Sequence, residues 1–195
     1  LERIPDNSSI QLRSRIVPVN SALNRKFSRH SGTMYTTLFG KGCPFSCTYC
    51  GNSALSRVYN SRRLRRRGVP VVIAEIERAM VDDPSIRSVN FLDDCFLAYG
   101  EAFLKEFYAL YKERVGLPFV IRSIPKYLTR KNLEELLDAG LSWINIGLES
   151  GSDRVNKEVY KRNCLSSDFL KAAELLAEYR VAAFYDILLD NPFET

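Results

Sequence analysis

The sequence predicts an α/β protein built on a parallel sheet, either an open sheet or part of a barrel. Three observations carry this. Short runs of β-branched and aromatic residues alternate with amphipathic helical stretches from residue 34 onward. No hairpin signals join neighbouring runs, so the strands need crossovers, which are right-handed. Polar and special residues gather where the runs end. With 195 residues, 46% hydrophobic and 26% charged, the chain is long and apolar enough for one domain with its own core.

The elements follow in order. Met34 to Phe39 is a run of strand formers that stops at Gly40. Pro70 suits the start of a helix, and Val72, Ile73, Ile76 and Met80 lie on one face of it until Asp83-Pro84 ends it. Ser88 to Leu92 is a second strand, running into Asp93-Asp94. Phe103, Leu104, Phe107 and Tyr111 form a helical stripe from about Glu101, which Gly116 breaks. Pro118 to Ile124 is the third strand. Thr129 is placed to cap a helix with Leu133, Leu136 and Leu137 inward, and Gly140 fits its C′ position. Ser142 to Leu148 is the fourth strand, ending in Glu149-Ser150-Gly151. Ser166 or Ser167 caps a helix carrying Leu170, Ala173 and Leu176, and Val181 to Leu189 is the fifth strand.

Residues 1–33 are polar without a sustained period and read as an N-terminal arm or linker; residues 34–195 read as the folded core. The chain begins with Leu1 rather than Met and has no signal peptide, so a piece of a longer protein is expected. No stretch approaches the roughly 20 apolar residues of a membrane span. Five cysteines, three of them crowded, point to a reducing, cytoplasmic setting where thiolates serve as ligands. Of the net charge of +5, much lies in Arg57, Arg62, Arg63, Arg65, Arg66 and Arg67. No aromatic residues interleave its dense part, residues 62–67, as a stacking platform would require, so it reads as a solvated approach to a helix, and nucleic acid is not the expected partner.

The densest chemistry is Cys43, Cys47 and Cys50, spaced C-x3-C-x2-C. Three thiolates can hold three irons of a [4Fe–4S] cluster, which normally takes four, and so leave one iron open. A zinc site would close with a fourth Cys or a His, and the sole histidine, His30, lies in the polar arm. Cys95 and Cys164 read as small buried hydrophobes. In parallel α/β folds the carboxyl ends of the strands share one rim. The cysteines, Asp93 and Asp94, Glu149 and Asp190 all follow strands, so they are expected to meet there.

With an aromatic residue, Tyr49, before its last cysteine, this motif after a first strand resembles the signature of the radical S-adenosylmethionine (SAM) superfamily. Finer features resemble members that carry a cobalamin-binding domain: Gly42-Cys43-Pro44-Phe45-Ser46-Cys47, Phe91-Leu92-Asp93-Asp94-Cys95-Phe96, Gly147-Leu148-Glu149-Ser150-Gly151-Ser152 and Asp190-Asn191-Pro192-Phe193-Glu194-Thr195. The resemblance implies an incomplete parallel (β/α)6 partial barrel with about five βα units present, truncated after the fifth strand. It implies a cluster on Cys43, Cys47 and Cys50 and reductive cleavage of SAM to methionine and a 5′-deoxyadenosyl radical. Tyr49 would flank the adenine, Asp93 or Asp94 would bind the SAM ammonium, and Arg122 (or Ser123) would meet its carboxylate. Glu149 would take the ribose hydroxyls, and Leu188 to Asp190 would line the adenine.

Local alternatives stand beside these roles. Adjacent aspartates also serve as turn and cap devices. Arg122 can pair with a carboxylate at the barrel mouth, and Glu149 can favour a helix N-terminus. The expected partners are a small-molecule substrate and a one-electron donor such as flavodoxin or ferredoxin, with cobalamin supplied from a domain outside this chain. The expected reaction is methylation or rearrangement of a natural-product-like substrate. Two other functions compete: a methylthiotransferase-like enzyme acting on RNA, and a non-catalytic iron–sulfur or zinc module for structure or electron transfer.

Overall fold

The computed structural model describes residues 9–12, 15–18, 33–60 and 65–194. In chain order its elements are β1 (Ser9–Leu12), β2 (Arg15–Pro18), β3 (Thr33–Thr37), β4 (Gly40–Lys41), α1 (Gly51–Val58), β5 (Arg65–Arg66) and α2 (Val69–Asp82). There follow β6 (Ile86–Phe91), α3 (Glu101–Arg114), β7 (Phe119–Ser123), α4 (Arg130–Ala139), β8 (Leu141–Glu149), α5 (Ser166–Glu178) and β9 (Ala182–Ile187).

Strands β3, β6, β7, β8 and β9 form one sheet in that order, and every pair is parallel. This order separates the two architectures left open by the sequence. A doubly wound sheet reverses its strand order at a switch point and carries helices on both faces. Here the order follows the chain without reversal, so right-handed crossovers put α2, α3, α4 and α5 on one side. The helices then pack in sequence, α2 on α3 and α3 on α4. The result is the winding of a partial (β/α) barrel.

The core fills the helix side. Val89 and Phe91, Phe119 and Ile121, and Ile144 and Ile146 alternate toward the helices, as the two-residue period of a strand requires. They meet Val72, Ile73 and Ile76 of α2, Phe107 and Tyr111 of α3, and Leu133 and Leu136 of α4. Phe39 lies at the centre of an aromatic cluster, stacked on Phe91 at 5.2 Å and edge-on to Phe103 at 5.0 Å and Phe107 at 5.7 Å. Such pairs add about 0.5–1.5 kcal/mol each beyond their buried area. The opposite, concave face is set by the other residues of the same alternation and mixes polar Thr36, Asn90, Arg122 and Asn145 with apolar Val120 and Trp143.

Several local expectations need correction. The stretch expected to be an arm contains β1 and β2, which pair antiparallel with Ile10 opposite Val17; runs of four residues are too short to show as a sustained period. His30, Arg62, Arg63 and Thr195 lie outside the described residues. Arg57, Arg65 and Arg66 are exposed, as a solvated run requires, but Arg66 and Arg67 also make contacts with the fold. Arg65–Arg66 pairs antiparallel with Gly40–Lys41, and Arg66 lies 4.9 Å over the Phe103 ring. Arg67 binds Glu75, the Thr37 hydroxyl and the Leu38 carbonyl. The helix α1, absent from the sequence reading, begins at Cys50.

Helix ends obey both local and distant rules. Thr129 caps α4 as expected and forms a reciprocal box with Asn132, and Gly140 closes it at φ 111° in the left-handed region. Helix α5 is capped differently. Leu165 is its N-cap; Asp168 accepts the Leu165 N–H at 2.9 Å and Asp153 accepts the Ser166 N–H at 2.7 Å. Its inward face is Phe169, Ala172 and Leu176, while Leu170 is exposed. Among the described residues no helix is long and apolar enough to cross a membrane.

Replacing Thr129 by Ala removes the side-chain acceptor for the Asn132 N–H. The expected cost is about 1 kcal/mol, with Thr129→Ser near neutral, read from the midpoint of urea unfolding.

Candidate active site

The cysteine loop hangs between two anchors. At its root the Asp93 carboxylate, at the end of β6, accepts the Phe39 N–H at 3.0 Å and the Gly40 N–H at 2.9 Å. The Tyr99 hydroxyl donates to the same carboxylate. Asp93 is fully buried. Burial pushes its carboxyl above the usual range, against the pull of the Tyr99 hydroxyl and the two amides. At the loop's far side Thr48 donates its N–H to the Tyr160 carbonyl at 2.9 Å and its hydroxyl to the Val159 carbonyl at 2.8 Å. Val155–Val159 is a single π turn, the kind of irregular helix often found at functional sites.

Between these anchors Cys43 and Cys50 are partly exposed and Cys47 is buried. Cys50 is also the N-cap of α1, so the first-turn N–H groups of that helix open beside the loop and favour negative charge there. Burial pushes the Cys43 thiol up to about 12 and raises that of Cys47. Binding to a metal must displace those protons. Among the described residues no three His, Cys, Asp or Glu side chains converge tightly enough to share one ion. Three thiolates on one loop are the donor set for three irons of a [4Fe–4S] cluster.

The end of β8 supplies the second wall. Glu149 sits at φ 65°, a strained backbone for a residue with a side chain, costing about 1 kcal/mol. Its carboxylate folds back over Gly147, into the space a Cβ there would take, so a side chain at 147 would push the carboxylate aside. Arg162, almost wholly buried, donates to the Gly147 carbonyl at 2.7 Å and the Leu148 carbonyl at 3.1 Å, and lies 3.9 Å from Glu149. Burial raises the Glu149 carboxyl; Arg162 pulls it down, and Asp186 pushes it up. Tyr49 spans the gap. Its ring meets Tyr160 edge-on at 4.9 Å, and its hydroxyl reaches Cys47 and Glu149.

Residues 37–194 match the model of the radical SAM superfamily. The chain belongs to that superfamily. Its fold is that of the radical S-adenosylmethionine methyltransferase TsrM from Kitasatospora setae, with TM-score 0.68 at 18% identity over 88% of this chain. It also superposes on Elp3 of the archaeon Methanocaldococcus infernus, with TM-score 0.52 at 15% identity over 84% of the chain. Coproporphyrinogen III oxidase HemN from Escherichia coli gives 0.55 at 12% identity over 87%. The chain spans 33% of the length of the first and 40% of each of the others. No curated protein matches it by sequence. The superfamily's cofactors are a [4Fe–4S] cluster and SAM, and the donor set of the cysteine loop fits the cluster.

Within this radical SAM core the expected residues divide. Cys43, Cys47, Cys50, Tyr49 and Glu149 are brought together. Asp93 and Asp94 are neighbours with different surroundings: Asp93 is consumed by backbone donors, whereas Asp94 is exposed and its charge acts on the Cys43 thiol. Arg122 lies on the concave face opposite Asn145 in the ladder, exposed, with no ion pair among the described residues. Asp190 is exposed past the end of β9 at φ 58°, with no recorded contact to the loop among the described residues. Cys95 and Cys164 are buried, and Cys95 lies 3.8 Å from the Ser123 hydroxyl. Sequence reasoning missed Tyr99, Tyr160 and Arg162. None lies in a motif the sequence marks; Tyr99 and Tyr160 stand at the ends of short irregular helices, and their partners appear only in the fold.

Two outcomes follow from this geometry. Asp93→Asn leaves one acceptor oxygen for three donors, so hydrogen exchange at the Phe39 and Gly40 amides accelerates and the chain loses about 2 kcal/mol in urea unfolding. For Glu149, the folded carboxyl holds its proton to higher pH than the unfolded one. It therefore costs stability as pH rises above the ordinary Glu value near 4.3, until the raised value is passed. Glu149→Gln is expected to be more stable than the native chain at pH 7 and equal to it below about pH 4, in urea melts across that range.

Proposed function

We propose that this chain is the SAM-activating core of a longer cytoplasmic radical SAM enzyme that methylates or rearranges a small-molecule substrate. The observation that carries it is the meeting of the cysteine loop, Tyr49, Asp94 and Glu149 on one strand-end rim. Cobalamin use is supported by TsrM, which is a methyltransferase and is described with cobalamin and a [4Fe–4S] cluster bound. When bound, the cluster and SAM supply the electron and the sulfonium whose reductive cleavage yields methionine and a 5′-deoxyadenosyl group able to take hydrogen from an unreactive carbon.

The chain's own residues bind and orient. Cys43, Cys47 and Cys50 hold three irons and leave the fourth for SAM. Asp94 is the aspartate free to accept a charge-assisted hydrogen bond from the SAM ammonium, since the oxygens of Asp93 are taken. Arg122 offers a two-pronged donor to the SAM carboxylate. Glu149, fixed by Gly147 and Arg162, faces the ribose hydroxyls. The backbone around Tyr49 and the stretch from Leu188 to Asp190 border the adenine. A one-electron carrier such as flavodoxin or ferredoxin supplies the reductant. An RNA substrate draws less support from the arginine run, because Arg66 lies over the Phe103 ring and Arg67 is tied to Glu75.

The test uses the full-length protein, reconstituted anaerobically with iron and sulfide, reduced with dithionite and given SAM. 5′-Deoxyadenosine is expected; its absence with an intact, reduced cluster sinks the reading. Cys43→Ala abolishes the product. Asp94→Asn raises the KM for SAM about ten-fold, the worth of one charge-assisted hydrogen bond of about 1.4 kcal/mol. Tracing the SAM methyl group with added cobalamin separates methyl transfer from rearrangement.

A further inference from the structure

Charge along this chain is sharply divided. Residues 7–74 contain twelve Lys and Arg and no Asp or Glu, so the remainder is net negative although the whole chain is +5. The cysteine loop lies inside the basic part. Within it the described arginines have separate fates. Arg67 is bound by Glu75 and by the Leu38 carbonyl. Arg66 lies over Phe103 and donates to the Tyr99 carbonyl at 3.1 Å. Lys41 and Arg65 are left. They stand directly opposite each other in the β4–β5 ladder, both exposed, and neither has an ion pair among the described residues.

Like charges directly opposite in an antiparallel pair destabilise it. The pair persists two residues from Cys43, within about 7 Å of chain. On the other side of the loop, α1 carries Arg57, exposed about 10 Å along the helix axis from Cys50. Positive charge thus stands at both sequence ends of the cysteine loop, while the carboxylates that face the loop, Asp94 and Glu149, come from other strand ends.

We propose that the β4–β5 ribbon, through Lys41 and Arg65, is the docking surface for a small acidic one-electron carrier protein of the flavodoxin or ferredoxin class. This rests on the reading of the chain as a reductively activated SAM enzyme. Complementary charge speeds encounter and orients the partner, and this ribbon orients it with its redox group toward the cysteine loop.

The experiment compares two reductants on the full-length reconstituted protein. Dithionite is small and needs no docking; reduced flavodoxin does. In the Lys41→Glu/Arg65→Glu double variant, 5′-deoxyadenosine formation driven by flavodoxin is expected to fall about ten-fold. Its salt dependence should flatten, while the dithionite-driven rate is unchanged. Calorimetric titration of oxidised flavodoxin onto the protein gives a readout independent of turnover, with binding about ten-fold weaker in the variant. Lys41→Arg retains both. Unchanged flavodoxin binding and rate overturn the proposal, as does equal loss with both reductants. Loss of binding to an RNA oligonucleotide, with flavodoxin unaffected, overturns it in favour of a nucleic-acid face. Absence of product with dithionite in the native protein counts against the enzyme reading instead, and the titration still decides the docking surface.

Discussion

The buried Asp93 carboxylate joins the two halves of this molecule's work. Phe39 is at once the centre of the aromatic core and the last residue before the β4 turn into the cysteine loop. By accepting the Phe39 and Gly40 amides, Asp93 fixes where the chain leaves the core. A loop that must present three thiols cannot do so from a wandering root, because each residue of slack shifts a sulfur by ångströms. The cost of burying that carboxylate shows as its raised proton affinity. It is offset by the Tyr99 hydroxyl and by the core that surrounds Phe39.

The opposite wall uses a related device. Glu149 adopts a strained backbone, lies over a glycine whose missing side chain leaves it room, and has beside it an arginine that is itself tied to carbonyls of the same strand. Breaking a buried, hydrogen-bonded charge is expensive, so Arg162 locks the end of β8 in one arrangement. The π turn after it then carries Tyr160 and the Val159 carbonyl to the cysteine loop. Two strand ends far apart in sequence are thereby coupled through one backbone hydrogen bond and one from the short Thr48 side chain.

Much of this was legible in the sequence, for a physical reason. Periodicity is a local signal, and five strands and four crossover helices announce themselves within ten to fifteen residues each. The cap at Thr129 is local too, and the structure has it. The Asp153 cap on α5 is not local, since Asp153 precedes the helix by a full loop. The same distinction governs the site. The cysteines, the aspartate pair and Glu149 stand at strand ends and were found. Tyr99, Tyr160 and Arg162 act through partners distant in sequence or by burial, and a single sequence carries neither. The charges of the arginine run look uniform in sequence, whereas the stacking of Arg66 on Phe103 and the pairing of Arg67 with Glu75 depend on the tertiary fold.

The sheet divides its duties by face. Its helix side carries the aromatic and aliphatic core and supplies the stability. The polar part of the concave side, Thr36, Asn90, Arg122 and Asn145, lies beside Val120 and Trp143, and Asn145 reaches Asp186 at 3.4 Å. That polar part adds little to folding, since polar groups exchange one hydrogen-bond partner for another. Residues there are thus free to answer to chemistry. The rim shows the same division more strongly: two carboxyls with raised proton affinity and a glutamate at positive φ all oppose folding. Groups that oppose folding persist only where the surrounding structure fixes them. Here they sit where three cysteines also stand, and that coincidence is why the rim, and not the larger core, identifies what the fold is for.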